Sequence, residues 1–92
     1  MKLDDSKVLE RLARLKGWEL VNGKLHKGYK FPTFEEAIAF INRVATVASS
    51  LDHHPEIFNV YNTVTLDINT HSEGGITELD FAFASKVDEL GA

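Results

Sequence analysis

The stretch TFEEAIAFINRVATVASSLDHHP, residues 33–55, decides the fold. Thr33 followed by Glu36 is a capping box, in which the hydroxyl caps one end of a helix and the glutamate reaches back to it. Pro55 marks the other end, because the residue before a proline is pushed out of the helical region. Apolar residues recur between these signals with the helical period for about five turns: Phe34, Ala37, Ile38, Ile41, Val44, Ala45, Ala48 and Leu51. The stretch therefore predicts one long amphipathic helix.

The residues after Pro55 alternate between apolar and polar, which is typical of β-strands. The run from Ile57 to Thr70 is longer than the usual five or six residues of a strand, so we expect a turn near Tyr61-Asn62-Thr63 to divide it into a hairpin. Its apolar residues share one parity and are interpreted as one face: Phe58, Val60, Val64, Leu66 and Ile68. The other sheet face, with Tyr61 and several Thr and Asn side chains, is expected to meet solvent or another subunit.

A second hairpin is predicted before the long helix. The runs Trp18–Val21 and 24–31 flank Asn22-Gly23, and Asn-Gly between two such runs is the strongest short hairpin signal. Both central positions of a type I′ turn need a positive φ, which these two residue types adopt readily.

Two shorter helices complete the chain. Asp5 and Ser6 offer N-cap oxygens for a helix that ends at Lys16-Gly17, with Val8, Leu9, Leu12 and Leu15 as its apolar stripe. A second capping box, Thr77 to Asp80, begins a last helix that carries Phe83, Ala84, Val87 and Leu90. The predicted order is α-β-β-α-β-β-α, with residues 1–92 as a single domain. Four antiparallel strands with three helices packed on one face make an α+β fold of two layers.

Composition narrows the possible functions. The 92 residues carry a formal charge of −4 and the basic residues are spread along the chain, so direct binding to nucleic acid is not expected. No apolar run approaches the roughly 20 residues of a membrane span, and we expect a soluble, cytoplasmic protein. The absence of cysteine excludes thiolate nucleophiles and disulfides. Free strand edges on so short a chain predict a homodimer or homotetramer, formed by edge pairing or helix packing.

Three of the four histidines fall in loops at one end of the predicted hairpin of residues 57–70. His53 and His54 precede it and His71 follows it, so the three imidazoles can converge. They are either loop residues without a chemical role, a metal site, or acid–base groups. Adjacent residues in an extended chain point to opposite sides and the spacings HxH and HExxH are missing, which disfavours zinc. Imidazole has a pKa of about 6.5 and can both give and take a proton near neutrality, which suits acid–base chemistry.

The stretch DHHPEIFNVYN, residues 52–62, with Thr70-His71 and Asp80 after it, resembles the pterin-4a-carbinolamine dehydratase family. The family pattern is His-His-Pro, an aromatic residue six beyond the proline, a third histidine ten beyond that, and a closing aspartate. This chain supplies it with His53, His54, Pro55, Tyr61, His71 and Asp80. Gly17-Trp18, the Asn-Gly hairpin and the helix TFEEAIAFINRVA are also similar to the family.

The resemblance implies a three-helix, four-stranded α+β fold and a dehydratase activity. The family removes water from a 4a-hydroxytetrahydropterin to give quinonoid dihydropterin, which recycles the cofactor of aromatic amino acid hydroxylases. His53, His54 and His71 are then the catalytic histidines, with no metal and no cofactor. We expect His53 and His71 to exchange protons with the substrate and His54 to hold and polarise it. Animal members also act as dimerisation cofactors of a homeodomain transcription factor, so a non-enzymatic protein-binding module is the alternative.

Four further residues are candidates for binding the substrate. Trp18 can cover a flat heterocycle, although core packing is the commoner role of a lone tryptophan. Asp52 either orients an imidazole or ends the helix, and Tyr61 serves the pocket, an interface or packing. Asp80 belongs to the family pattern, but its place in the capping box also accounts for it. Ser49 stands where family members often have an acidic residue, so one supporting carboxylate is missing or is replaced by Asp52.

Overall fold

Three helices and four strands follow one another in the predicted order in the computed structural model, which describes residues 1–92. They are α1 (Asp5–Leu12), β1 (Glu19–Val21), β2 (Lys24–Lys30), α2 (Phe34–Leu51), β3 (Glu56–Val60), β4 (Thr63–Ile68) and α3 (Glu78–Asp88). A single 3-10 turn, His71–Glu73, precedes α3. The strands form one antiparallel sheet in the order β1-β2-β4-β3. The predicted α+β fold class is confirmed.

The helix α2 is the long helix that its capping signals predict. Thr33 Oγ1 accepts a hydrogen bond from the Glu36 N–H at 3.1 Å, and Asp52 ends the helix in the left-handed conformation with φ 48°. Its buried face differs in detail from the predicted stripe. Phe40 is fully buried although the stripe omits it, whereas Phe34 is 43% exposed. The buried positions follow the i, i+3, i+4 rule around a slightly rotated centre: Ala37, Phe40, Val44 and Ala48.

The β3–β4 hairpin turns where the sequence predicts, but its apolar face is not the predicted one. The turn has two residues, Tyr61-Asn62, and pairs Val60 with Thr63. The parity of the inward-facing side chains therefore reverses across the turn. Phe58 and Val60 lie on the open face of the sheet and are 63% and 56% exposed, while three β4 residues face the core: Val64, Leu66 and Ile68. The prediction of one apolar parity was wrong for β3.

The N-terminal half follows the predictions except that its helix is shorter and is capped by Asp4 instead of Asp5 or Ser6. Asn22 and Gly23 both have a positive φ, 51° and 76°, as the type I′ turn requires. The helix α1 begins after Asp4, whose carboxylate accepts a hydrogen bond from the Lys7 N–H at 2.9 Å. It ends at Leu12 and not at Gly17, because the next backbone bonds are of the tighter i to i−3 kind, as from Arg14 to Arg11.

The core lies between the sheet and the helices and consists of 15 buried apolar residues. The largest of those that are 0% exposed are Phe40 of α2, Phe83 of α3, and Leu25 and Leu66 of the sheet. Fully burying one such side chain contributes about 1.5–3 kcal/mol. None of the helices combines the length and the hydrophobicity that a membrane-spanning helix needs.

Candidate active site

The loops before β3 and after β4 meet at one end of the sheet. Glu56 at the start of β3 pairs with Asp67 near the end of β4, so residues 52–55 and residues 69–77 leave the sheet side by side. The left-handed Asp52 turns the chain out of α2, and the His53 N–H closes this turn on the Ala48 carbonyl at 3.0 Å. These local features place His53 against the start of α3.

His53 is joined to a buried carboxylate of α3. Its Nε2 lies 2.6 Å from Asp80 Oδ1, with the imidazole 11% exposed and the carboxylate 0% exposed. Asp80 occupies this position because it is the third residue of α3, where the capping box turns its side chain back towards Thr77. A short contact out of water between a carboxylate and an imidazole is a strong hydrogen bond.

The second oxygen of Asp80 is held by two threonines. Asp80 Oδ2 accepts hydrogen bonds from the Thr77 N–H at 2.8 Å and from Thr70 Oγ1 at 2.9 Å. The two threonine hydroxyls lie 2.7 Å apart, and both residues are buried. A buried carboxylate needs such donors, since an unpaired one is costly to remove from water. The Asp80 side chain is therefore fixed in one orientation.

His54 and His71 are exposed beside this network. His71 begins the 3-10 turn directly after Thr70, and His54 follows His53 in the extended segment before Pro55. Both side chains are exposed. The structure thus brings the three predicted histidines to one end of the sheet, with the His53 side chain held by Asp80 and the other two imidazoles exposed.

Two of the four predicted binding residues lie away from the histidines. Trp18 is 5% exposed and packs edge-to-face on Phe83, and its Nε1–H donates to Asp88 at 2.9 Å. Asp88 follows Asp80 by eight residues of α3, about 12 Å along the helix axis. Tyr61 is 64% exposed in the β3–β4 turn, about 16 Å of strand beyond Glu56. Core packing accounts for Trp18.

The remaining predicted residues divide between the site and its border. Asp80 contacts His53 and caps α3 as well. Asp52 is exposed and makes no side-chain hydrogen bond to an imidazole, so the carboxylate that orients His53 is Asp80 and not Asp52. Ser49 is exposed in the last turn of α2. Its carbonyl accepts the hydrogen bond of the Asp52 N–H at 3.2 Å.

Thr70 and Thr77 are site residues that the sequence analysis missed. The sequence indicates Thr77 only as the cap of α3 and Thr70 only as the neighbour of His71. The capping box was a usable signal for the Thr77–Asp80 contact. The bond from Thr70 to Asp80 spans ten residues of a loop and has no local pattern.

None of the chain's open grooves is lined by the three predicted histidines, and one of these grooves borders the network behind His53. One groove of about 490 Å³ borders Thr70 and Thr77 and runs between the N-terminus, the 3-10 turn and the start of α3. The largest, of about 730 Å³, lies between α2, the end of β2 and Gly91-Ala92. No group of three or more His, Cys, Asp and Glu side chains is arranged to hold a metal ion. The candidate site is therefore described from the His53–Asp80 contact and its neighbouring loops, and not from a deep cavity.

Comparison with known proteins shows which protein family this chain belongs to. The family model of pterin 4 alpha carbinolamine dehydratase matches residues 1–90. The chain belongs to this family. A relative from Solibacter usitatus is 47% identical over 91 residues, 99% of this chain and 96% of its own. One from Sulfolobus acidocaldarius is 42% identical over 90 residues, 98% and 99% of the two chains. Both are provisionally named as pterin-4-alpha-carbinolamine dehydratases.

Solved structures place the chain in the pterin dehydratase fold. The crystal structure of a transcriptional coactivator/pterin dehydratase from Brucella melitensis has a TM-score of 0.93 and 40% identity, and the match covers 100% of both chains. A pterin dehydratase-like protein described as a RuBisCO assembly factor in the alpha-carboxysome has a TM-score of 0.65. It is 24% identical over 82% of this chain and 87% of its own, and it shares the fold.

Proposed function

We propose that this chain catalyses the dehydration of a 4a-hydroxytetrahydropterin to quinonoid dihydropterin by metal-free histidine acid–base catalysis. The observation that supports it most is the His53–Asp80 pair, a partly open imidazole tied at 2.6 Å to a fully buried carboxylate. Family membership supports pterin dehydratase chemistry in general, and the pair supplies a group suited to that chemistry. In recycling, the substrate would come from an aromatic amino acid hydroxylase reaction.

The reaction needs one proton given and one proton taken. The C4a–O bond breaks as an acid protonates the departing hydroxyl, which leaves as water. A base removes the N5 proton, and the N5–H electron pair forms the N5=C4a double bond. Groups positioned in this way typically contribute about 10²–10⁴-fold each to the rate.

The three histidines divide these tasks in our proposal. His53 and His71 exchange protons with the substrate, because they stand on the two loops that meet at the end of the sheet. His54 holds and polarises the substrate from the exposed segment before Pro55. Asp80 is fully buried and bonds to His53, so in our proposal its role is to position the imidazole.

A stopped assay of 4a-carbinolamine dehydration tests the proposal. The wild-type protein, dialysed against EDTA and shown by elemental analysis to be free of metal, should speed the reaction well above its uncatalysed rate. His54→Ala should mainly raise KM, since His54 holds the substrate. Stoichiometric zinc that survives the dialysis, or a rate that depends on added metal, would overturn the metal-free proposal.

A protein-binding role is the second candidate, because the open sheet face has an exposed apolar patch. Phe58 and Val60 are 63% and 56% exposed on adjacent outward positions of β3, and exposed apolar patches often mark interaction sites. No binding or turnover of any pterin, together with a stable complex with another protein recovered from cells, would favour this module over the enzyme.

A further inference from the structure

The hydroxyl network behind His53 admits one arrangement of its protons. Asp80 Oδ2 accepts from the Thr77 N–H and from the Thr70 hydroxyl, at 2.8 and 2.9 Å. Thr70 has a single hydroxyl proton, and this bond uses it. The 2.7 Å contact between the two threonine oxygens must therefore use the hydroxyl proton of Thr77. Thr77 Oγ1 in turn accepts the Leu79 N–H at 3.2 Å.

The network is a directed relay that is shielded from water. It runs from Thr77 to Thr70 to Asp80, and these residues are 5%, 7% and 0% exposed. Water does not compete for bonds at this depth, and successive hydrogen bonds of one direction polarise one another. The relay occupies Oδ2 and leaves Oδ1 as the only oxygen that faces His53.

This direction determines the tautomer of His53. A carboxylate that accepts at both oxygens requires a hydrogen on the histidine nitrogen that meets it. Asp80 Oδ2 already accepts two hydrogen bonds, so Asp80 is the acceptor of the 2.6 Å contact as well and its hydrogen belongs to Nε2 and not to Oδ1. The neutral imidazole then has its lone pair on Nδ1.

We infer that Thr70 and Thr77 are positioning residues, which fix His53 through Asp80 as the Nε2–H tautomer and make Nδ1 its proton-accepting atom. For the proposed dehydration, on which this last step rests, the substrate N5–H bond breaks and an Nδ1–H bond forms. The electron pair of N5 moves to C4a as the hydroxyl leaves with a proton from a second group. His53 is thereby the base of the reaction.

A substitution at Thr70 can test the positioning role without disturbing the cap of α3. The α3 cap consists of Thr77 and Asp80 alone, and the backbone pairing of Thr70 with Gly75 holds the loop whatever side chain stands there. The hydroxyl of Thr70 contacts only the Thr77 hydroxyl and Asp80. Thr70→Val therefore removes the relay while it keeps the cap and the shape of the side chain.

The nitrogen-15 shifts of the His53 ring test the tautomer without any activity measurement. The wild-type protein, at a pH where imidazole is neutral, should show the Nε2–H form. Asp80→Asn should show the Nδ1–H form. The Thr70 hydroxyl and the Thr77 N–H need an acceptor, so they bond to the amide oxygen and leave the amide NH₂ to donate to Nε2. A wild-type spectrum of the Nδ1–H form or of an even mixture would overturn the inference, and so would an unchanged tautomer in Asp80→Asn.

Turnover kinetics test the consequence for the reaction. Thr70→Val should lower kcat about tenfold with little change in KM, since one hydrogen bond in a buried network contributes about 1.4 kcal/mol. Thr70→Ser restores the hydroxyl and should stay within about twofold of the wild type. The matched control is Thr33→Val, which removes an exposed capping threonine of α2, about 28 Å of helix from Asp52. It should leave kcat unchanged.

The tautomer measurement and the turnover kinetics together distinguish a failure of the inference from a failure of the proposed function. An inactive wild-type protein with the Nε2–H tautomer, inverted in Asp80→Asn, would contradict the dehydratase and keep the relay. Equal kcat in Thr70→Val and Thr33→Val in an active enzyme would contradict the relay and keep the dehydratase. A loss of kcat in Thr70→Val that Thr70→Ser does not restore would also contradict it.

Discussion

Asp80 shows at the scale of one residue what local sequence can and cannot predict. Its bond to the Thr77 N–H follows from the capping box and spans three residues. Its bond to His53 spans 27 residues and exists only because the fold brings the end of α2 against the start of α3. Sequence reasoning made both Asp52 and Asp80 candidates and left open whether Asp52 orients an imidazole or ends the helix. In the structure Asp52 is the exposed end of α2.

The buried hydroxyl of Tyr29 predicts how the stability of the chain depends on pH. Its hydroxyl is buried without a hydrogen-bond partner, and its ring packs on Phe40 with centroids 4.6 Å apart. Burial, and then the nearby Asp88 carboxylate, raise the pKa of the Tyr29 hydroxyl far above the ordinary value of about 10. The folded chain keeps this proton where the unfolded chain loses it, so stability should fall as the pH rises past about 10.

Phenolate absorbance during an alkaline titration checks this prediction. Tyr61→Phe leaves Tyr29 as the only tyrosine of the chain. Its phenolate signal should stay absent while circular dichroism reports a folded protein, and should rise together with unfolding. A phenolate signal at about pH 10 in the fully folded variant would contradict the burial of the hydroxyl.

Elements were predictable where their signals are local. Both ends of α2 could be predicted, because a capping threonine and a proline act on the residues beside them. The inward face of β3 could not, because it depends on the length of the turn at Tyr61-Asn62. Tyr61 adopts a φ of 51°, and non-glycine residues other than Asn and Asp rarely do so. The residue types in that turn did not reveal the two-residue loop.

The packing of α2 predicts unequal effects for two phenylalanines in one helix. Phe40 is 0% exposed and contacts the aromatic rings of Tyr29 and Phe31, whereas Phe34 is 43% exposed. Phe40→Ala should lower the free energy of unfolding by about 3–5 kcal/mol through lost burial and a cavity. Phe34→Ala should cost less than about 1 kcal/mol.

Urea denaturation at equilibrium measures both differences, with the slope m as a check that the unfolded states are alike. Similar losses in the two variants would show that the buried face of α2 is not the one described. A loss of stability confined to Phe34→Ala would show that α2 buries the face that carries Phe34.

At the scale of the whole molecule, the chain has a core buried between helices and sheet and an exposed edge strand, β3. The helices cover one sheet face, while β3 forms an edge of the sheet whose outward positions expose apolar side chains. A free apolar edge strand favours pairing with another chain, and short chains gain stability from association. The order of elements was predictable from their sequence signals, but the convergence of the two loops needed the strand pairing itself.

We expect the chain to self-associate through the β3 edge. Sedimentation should give a mass at least twice the 10.3 kDa of one chain. Phe58→Lys with Val60→Lys should shift it towards the monomer, because charges on an edge strand oppose pairing. The matched control, Leu79→Lys, changes an exposed apolar residue of α3. A monomeric wild-type protein would contradict the expectation, as would a double variant that keeps the wild-type mass.

The most direct test of histidine catalysis compares four single His→Ala variants in the 4a-carbinolamine dehydration assay. His26 is the matched control, because it lies on the open sheet face and bonds to Asp67 at 2.7 Å. His26→Ala should keep kcat/KM near the wild-type value. His53→Ala and His71→Ala should each lower it by about 10²-fold or more, and His54→Ala should lower it through KM. Unchanged rates in His53→Ala, His54→Ala and His71→Ala would contradict the account.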